Sequence, residues 1–345
     1  MKTLLITGGY GFIGSHFIRL LSREKPQWRI VNLDLLTYAG NIDNLADLNF
    51  TANGSQYHFV QGDIADLALV RQIFETESLD GIVNFAAETH VDRSLRDSAP
   101  FVRTNIEGVR VLLEVAAQYG IDRFLQVSTD EVYGSLEPNE PAFFENSPLL
   151  PNSPYAASKA AADLLVRAYH RSYGISTLIT RCGNNYGPYQ FPEKFLPLFI
   201  TNALDDQDLP LYGDGKQIRD WIHVEDHARA VLQVLENGVP GEIYNISADE
   251  ERMNQNMAEW ILDLLGKPRE LIRPVEDRPG HDRRYSLSAS KIRGLGWQPS
   301  IPLGQGLSNT IDWYRSQRAW WERIKSGEYR KYYSEMYGGR LKSSA

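Results

Sequence analysis

A short apolar run, Lys2–Thr7, ends in Gly8-Gly9-Tyr10-Gly11-Phe12-Ile13-Gly14 and passes directly into a helical pattern starting near Ile13. This joint constrains the fold more than any other part of the chain. A strand-to-helix turn this tight needs positive φ and close approach of another group to the backbone, and glycine alone allows both. The helix start that follows offers free N–H groups and the positive end of a dipole, so Gly8, Gly11 and Gly14 are spaced to cradle a pyrophosphate. A second β-rich run, Arg29–Asp34, ends in a carboxylate. Placed there, Asp34 accepts bonds from the adenosine ribose and repels a 2′-phosphate, which predicts NAD in preference to NADP. Asp63, just after the run Tyr57–Gln61, suits an adenine contact, with a helix N-cap as the alternative reading.

Gly81–Phe85, Arg123–Ser128 and Ser176–Thr180 continue the series of buried strands, separated by helical patterns such as Val102–Tyr119 and Pro154–Tyr173. Such alternation implies right-handed crossovers and a parallel sheet covered on both faces. The expected fold class is therefore α/β: a Rossmann-type doubly wound parallel sheet with a smaller, mixed α/β C-terminal lobe for substrate. The dinucleotide domain is placed at residues 1–181 and the substrate lobe at 182–345. The helix Val224–Leu235 and strand Glu242–Ile246 (residues 224–246) are expected to return to the first domain. From Leu303 onward the pattern is helical and aromatic.

The 345 residues are 42% hydrophobic and 23% charged, values of a packed globular chain. No apolar run approaches the roughly 18 residues of a membrane span, and the apolar opening lacks a small-residue cleavage site, so a soluble protein is expected. A net charge of −8 without a basic stripe argues against nucleic acid as a partner. The single cysteine, Cys182, excludes an internal disulfide, offers no metal-ligand spacing among scattered histidines, and fits a cytoplasmic home.

Two features carry chemistry. Tyr155-Ala-Ala-Ser-Lys159 puts a phenol and an ammonium on one helical face. Tyrosine is a poor base at neutral pH, but a nearby ammonium and a cationic nicotinamide favour its phenolate. Tyr155 can then take the proton of a sugar hydroxyl while its carbon gives up hydride. The pattern is short enough to recur by chance, and does so at Tyr212…Lys216, where a Gly-Asp-Gly turn rules out a helix. The second feature is Thr129-Asp130-Glu131 at the end of a predicted strand, where open parallel sheets form their ligand crevice. Two adjacent carboxylates suit an elimination across neighbouring carbons, one removing a proton and the other protonating the leaving hydroxyl.

With TGGYGFIGSHF, LTYAGN, NFAAETHVDRS, VSTDEVYG, SPYAASKAAAD, TRCGNNYGPYQFPEK, YGDGKQIRDWIHVEDHARA and DRPGHDRRY, the chain resembles the dTDP-glucose 4,6-dehydratases, of the extended short-chain dehydrogenase/reductase superfamily, nearly end to end. The resemblance implies a homodimeric lyase that keeps NAD through the cycle and turns dTDP-glucose into its 4-keto-6-deoxy sugar. It makes Thr129 a sugar ligand, Asp130 the acid at C6 and Glu131 the base at C5. It implies NAD contacts at Phe12, Ile13, Asp34, Thr37, Asp63, Ile64, Ala87, Thr104 and Asn185. Nucleotide contacts are implied at Asn184, Lys194, Phe195, Pro210, Tyr212, Arg219, Asn254, Arg278 and His281. Arg219 and Arg278 could clamp a diphosphate with paired N–H donors, although each could equally be a solvated charge. Asn254 could equally be a helix cap before Met257–Leu265. Thr89 stands where the family more usually has Ser, adding a methyl near the sugar, and Tyr10 where a smaller residue is usual.

The rival within the superfamily is a nucleotide-sugar 4-epimerase, which shares the glycine turn and the Tyr/Lys pair without needing Asp130-Glu131. A non-catalytic NAD-binding sensor is a more distant rival, since the whole catalytic set is present.

Overall fold

The computed structural model describes residues 2–50 and 56–342. Its strands are β1 (Thr3–Thr7), β2 (Arg29–Asp34), β3 (Gln56–Gln61), β4 (Gly81–Asn84), β5 (Arg123–Thr129), β6 (Thr177–Cys182), β7 (Asn184–Tyr186), β8 (Leu209–Tyr212), β9 (Ile218–His223), β10 (Ile243–Ile246), β11 (Glu251–Met253) and β12 (Ile272–Val275). Among the described residues, seven of them form one sheet in the order β10-β6-β5-β4-β1-β2-β3. Every pairing in it is parallel. The strands read as near-continuous apolar runs because helices cover both faces. From β1 the chain steps to β2 on one side and later to β4 on the other. The crevice therefore opens beyond the carboxyl ends of β1 and β4, where the order reverses.

The first helix, Phe12–Glu24, begins inside the glycine turn. It packs in the same apolar cluster as Ala230, Val231 and Leu235 of the Val224–Asn237 helix, and β10 follows to form the sheet edge beside β6. The helix Pro154–Tyr173 has the predicted bounds: Ser153 Oγ accepts from Ala156 N at 3.1 Å, Pro154 opens it, and Gly174 at φ 71° closes it. These are standard start and stop signals.

Val102–Tyr119 differs from the single α-helix expected. Ala99–Phe101 is α-helical, Val102–Gly108 is π-helical, and α-geometry resumes at Val109–Tyr119. The wider turn has a visible anchor. Asn105, buried, accepts from Glu88 N at 2.9 Å and donates to Glu88 O at 3.0 Å and Ser158 Oγ at 2.8 Å. Three segments are thereby pinned together, which the hydrophobic pattern of the helix does not encode. Two caps considered above are not formed. Asp66, not Asp63, caps the Leu67–Thr76 helix, and Asn254 is the first residue of its helix rather than a side-chain cap.

The remaining strands form two smaller sheets: β9 lies between β7 (parallel) and β11 (antiparallel), and β12 pairs with β8. Their core holds Leu198, Phe199, Met257, Ile261, Tyr314 and Trp321.

Helix Pro154–Tyr173 is tied to the sheet by a buried ion pair, Arg181 Nε to Asp163 Oδ2 at 2.8 Å, with side-chain exposures of 3% and 1%. Removing one partner strands the other charge in a dry environment. Asp163→Ala should therefore lower unfolding stability by about 3–5 kcal/mol. Urea denaturation would show this as a lower midpoint at unchanged slope. A loss below 1 kcal/mol would mean that the pair is solvent-compensated.

Candidate active site

A cavity of about 300 Å³ opens at the carboxyl ends of the central strands. Its wall contains Gly8, Gly11, Phe12, Ile13, Gly14, Asp34, Thr37, Asp63, Ile64, Ala87, Thr104 and Asn185. The same wall continues through Thr89, Thr129, Asp130, Glu131, Tyr155, Lys159, Asn184 and Lys194. One cavity thus joins the dinucleotide residues to the chemistry-bearing residues. Phe195, Pro210, Tyr212, Arg219, Asn254, Arg278 and His281 are not part of this lining.

At the glycine end, Gly8 has φ 69°, and a Cβ on it would stand 2.7 Å from Ala86 N. A Cβ on Gly14 would stand 2.2 Å from Gly8 O, so this residue is what lets the helix start against the turn. The helix has no side-chain cap at Gly11, leaving its first N–H groups to a ligand. Asp34 accepts from Tyr10 N at 2.9 Å and from Leu36 N at 2.8 Å, one bond to each oxygen. A carboxylate oxygen can accept more than one bond, so both remain able to receive ribose hydroxyls. Burial pushes Asp34 up, and the two backbone N–H groups oppose that. Asp63 accepts from Ala65 N at 2.8 Å and pairs with Arg103 at 2.8 Å. Asn185 accepts from the His227 ring at 2.9 Å. These residues fit an adenine dinucleotide lacking a 2′-phosphate.

At the other end, Thr129 finishes β5 and the chain turns at once into a short 3-10 helix, Asp130–Tyr133. Thr129 Oγ1 accepts from Glu131 N at 3.2 Å and donates to Asp130 Oδ1 at 3.1 Å. Asp130 is 3% exposed, and its Oδ2 has no partner among the described residues. Burial is the largest cause holding its carboxyl well above the usual range, with the neighbouring Glu131 and then Asp220 adding to it. Glu131 is also raised by burial, but Arg278, Lys194 and Arg219 all pull it down. Adjacent carboxyls in such unequal fields separate into a proton holder and an ionised base.

Lys159 departs from expectation. Its Nζ donates to Val127 O at 2.7 Å, and burial lowers it to about 8. Tyr155 is raised well above the usual phenol range by burial, then by Glu131 and Cys182. The neighbouring Thr129 hydroxyl acts in the opposite direction. Lys159 is thus directed at the backbone of β5.

The nucleotide set divides. Lys194 Nζ donates to Thr89 O at 2.6 Å, which links Thr89 through its backbone rather than its methyl. Arg278 and Tyr212 gather around Asp92: Arg278 Nη1 and Tyr212 Oη donate to its two oxygens at 3.4 and 3.1 Å, while His281 pairs with Asp277 at 2.6 Å and meets the Tyr212 ring edge-on at 6.0 Å. Arg278 Nε is buried without a partner among the described residues. Arg219 donates to Ile218 O and Asp282 O and lies 4.2 Å above the Tyr285 ring, so part of its fork is already engaged. Phe195 packs on Phe199 and Trp221, Pro210 is buried in β8, and Asn254 N bonds Gln217 O. Nothing in these contacts brings the last three to the cavity.

A family profile described as GDP-mannose 4,6 dehydratase matches residues 5–310. The curated dTDP-glucose 4,6-dehydratase of Streptomyces niveus is 50% identical over 328 residues, covering 94% of this chain and 96% of that protein. The one from Salmonella typhimurium is 46% identical over 362 residues, covering 98% and 99%.

The chain belongs to the dTDP-glucose 4,6-dehydratase family.

A crystal structure of the dTDP-glucose 4,6-dehydratase DesIV from Streptomyces venezuelae, with NAD and TYD bound, superposes with TM-score 0.89 at 50% identity, covering 94% of this chain and all of that one. A UDP-glucose 4-epimerase from Thermotoga maritima shares the fold at TM-score 0.84 and 29% identity, over 92% and 100%.

In this dehydratase family member, sequence reading passed over three charged residues of the site. Glu88 and Glu193 line the cavity. Arg93 donates to Glu193 at 2.9 Å from between the rings of Tyr38 (3.9 Å) and Tyr332 (4.3 Å). All three lie inside or beside quoted motifs, AAETHVDRS and FPEK, so the signal was present. What was missing was the pairing of residues 100 positions apart.

Thr129→Val removes the hydroxyl that opposes the rise at Tyr155, so the phenol should hold its proton to higher pH. The acid limb of the pH–rate profile should then move upward, with a lower rate at neutral pH. An unmoved limb would mean that Thr129 does not set the ionisation of Tyr155.

Proposed function

We propose that this chain dehydrates dTDP-glucose to dTDP-4-keto-6-deoxyglucose, with NAD as its bound cofactor. The observation that carries the reading is the unequal electrostatic field across Asp130 and Glu131, in the same cavity as Tyr155 and Lys159. When bound, NAD supplies the acceptor for hydride from C4 and the donor of that hydride to C6. Tyr155 takes the O4 proton as C4 becomes a ketone. The ketone acidifies C5–H, and Glu131, ionised by facing Arg278, Lys194 and Arg219, removes that proton. Asp130, protonated in its buried site, gives its proton to the C6 hydroxyl, which leaves as water. Glu131 returns a proton to C5, and the proton gathered by Tyr155 restores Asp130 through solvent. One water is lost, with no net oxidation.

The remaining assignments support the same reading. Gly8, Gly11, Gly14 and Asp34 hold the dinucleotide within residues 1–181, while 182–345, apart from 224–246, form the nucleotide-sugar lobe. Lys194, Arg219 and Arg278 provide positive charge for a diphosphate next to Glu131. Asn184, Tyr212 and His281 border that region, and Phe195, Pro210 and Asn254 reach substrate only if the lobe closes. No described helix is long and apolar enough to cross a membrane, and the buried lone Cys182 suits the cytoplasm. Two copies pair through the helices ending at Tyr119 and Tyr173, which leave Val102 (51% exposed), Leu164 (54%) and Tyr173 (67%) uncovered. Light scattering should give a dimer at micromolar concentration, and a monomer would contradict this.

Incubation with dTDP-glucose should yield a product lighter by one water, whereas a 4-epimerase would return an isomer of unchanged mass. Glu131→Gln should form the 4-ketone but neither expel water nor take up solvent deuterium at C5. Asp130→Asn should exchange C5 and lose water slowly. Loss of a placed acid or base costs roughly 10²–10⁴ in rate. Wild-type C5 exchange in Glu131→Gln would place the base elsewhere.

A further inference from the structure

One buried carboxylate beside the site has no part in the steps above. Asp220, on β9, is 1% exposed. Its Oδ1 accepts from Glu250 N at 2.8 Å, and its Oδ2 has no partner among the described residues. Strand register shows where that oxygen lies. Thr129 stands opposite Cys182 across β5 and β6, and Asn184 stands opposite Trp221 across β7 and β9. One step beyond Thr129 is Asp130, one step beyond Cys182 is Gly183, and one step before Trp221 is Asp220. Gly183 and Asp220 are therefore neighbours, and Asp130 starts the 3-10 turn at the end of the adjoining strand. Gly183 is the thin part of this wall: a Cβ there would stand 2.8 Å from Asp220 O and 3.1 Å from Asp220 Oδ2. Two buried carboxyls, each with an oxygen unpartnered among the described residues, thus lie at the end of the sheet, Asp220 behind Gly183 and Asp130 in the same cavity lining as that glycine.

We propose that Asp220 is a positioning residue for the elimination: its carboxylate, held behind Gly183, keeps the proton on Asp130 until the C6 hydroxyl is in place to receive it. A carboxyl of ordinary acidity is almost wholly ionised at neutral pH; burial holds Asp130 well above that range, and Asp220 adds to it. A second negative charge close by in a medium of low polarity opposes that ionisation. The surroundings of both groups agree. Asp220 faces Asp249 and Glu251 from the β11 side and Cys182 and Asp130 across the glycine, with Glu250 N as the donor to its Oδ1. Burial raises it to about 6. Asp130 faces Glu131, Asp220, Tyr155 and Cys182, with Arg219 as an opposing cation. As pH rises through neutrality Asp220 becomes charged, and that charge extends the range over which Asp130 stays protonated. The sign follows: removing the Asp220 charge lets Asp130 lose its proton at lower pH.

The inference rests on Asp130 being the acid, and the test separates the two ideas. Asp220→Asn should move the alkaline limb of the rate of water loss to lower pH, so that kcat falls severalfold above neutrality and stays near wild type below it. The KM for dTDP-glucose and solvent exchange at C5 should be unchanged, which a merely structural loss would not leave intact. Asp220→Ser is the companion variant: it also removes the charge, so the limb should move the same way. In an Asp130→Asn background Asp220→Asn should have no further effect on pH dependence. A limb unmoved in Asp220→Asn, or in Asp220→Ser should the first variant not fold, overturns the proposal. A limb that persists in Asp130→Asn alone overturns instead the assignment of Asp130 as acid.

Discussion

Asp130 and Glu131 are neighbours in the chain, yet the chemistry asks one to hold a proton and the other to lack it. Desolvation alone pushes both toward the neutral form, so it cannot make them different. The difference comes from what each faces. Glu131 looks toward Lys194, Arg219 and Arg278, cations from the later part of the chain. Asp130 turns back into the end of the sheet, where Glu131 and Asp220 are negative and Arg219 and the Thr129 hydroxyl oppose them. The short 3-10 turn after β5 makes this possible, because it points consecutive side chains at different elements. Thr129 fixes that turn, its hydroxyl bonding both the Glu131 backbone and the Asp130 side chain.

Much of the remaining architecture serves that turn. The parallel sheet places the end of β5 beside those of β1 and β4, so the glycine cradle and the acid pair open into one cavity. The Pro154–Tyr173 helix carries Tyr155 and Lys159 to the same place, held by the buried Asp163–Arg181 pair at β6. The lysine then donates to Val127 O, bracing the strand that ends in Thr129. Asn105 does similar work from the opposite side, fastening the Glu88 loop to that helix.

Local signals made the elements legible in the sequence. β2 ends at Asp34 and the long helix spans Pro154–Tyr173, where caps and glycines predict both. The cavity residues from Gly8 to Lys159 could be named because their spacing has a chemical reason. Long-range choices were not legible. Nothing local says that Lys159 turns to a carbonyl, that Arg219 shares its fork with Asp282 O, or that Asp92 collects Arg278 and Tyr212 from 186 and 120 residues away. The π-helical turn at Val102–Gly108 was missed for the same reason, since its anchor is a side chain bonded across the fold.

The central claim is that one cavity oxidises C4, eliminates water across C5 and C6, and returns the same hydride to C6. dTDP-glucose carrying deuterium at C4 tests this most directly. In a mixture with unlabelled substrate, the account predicts a 6-deoxy-4-keto product with the deuterium on C6 of the molecule that began with it. Deuterium released to solvent, exchanged between molecules, or kept at C4 of an epimerised sugar would contradict it.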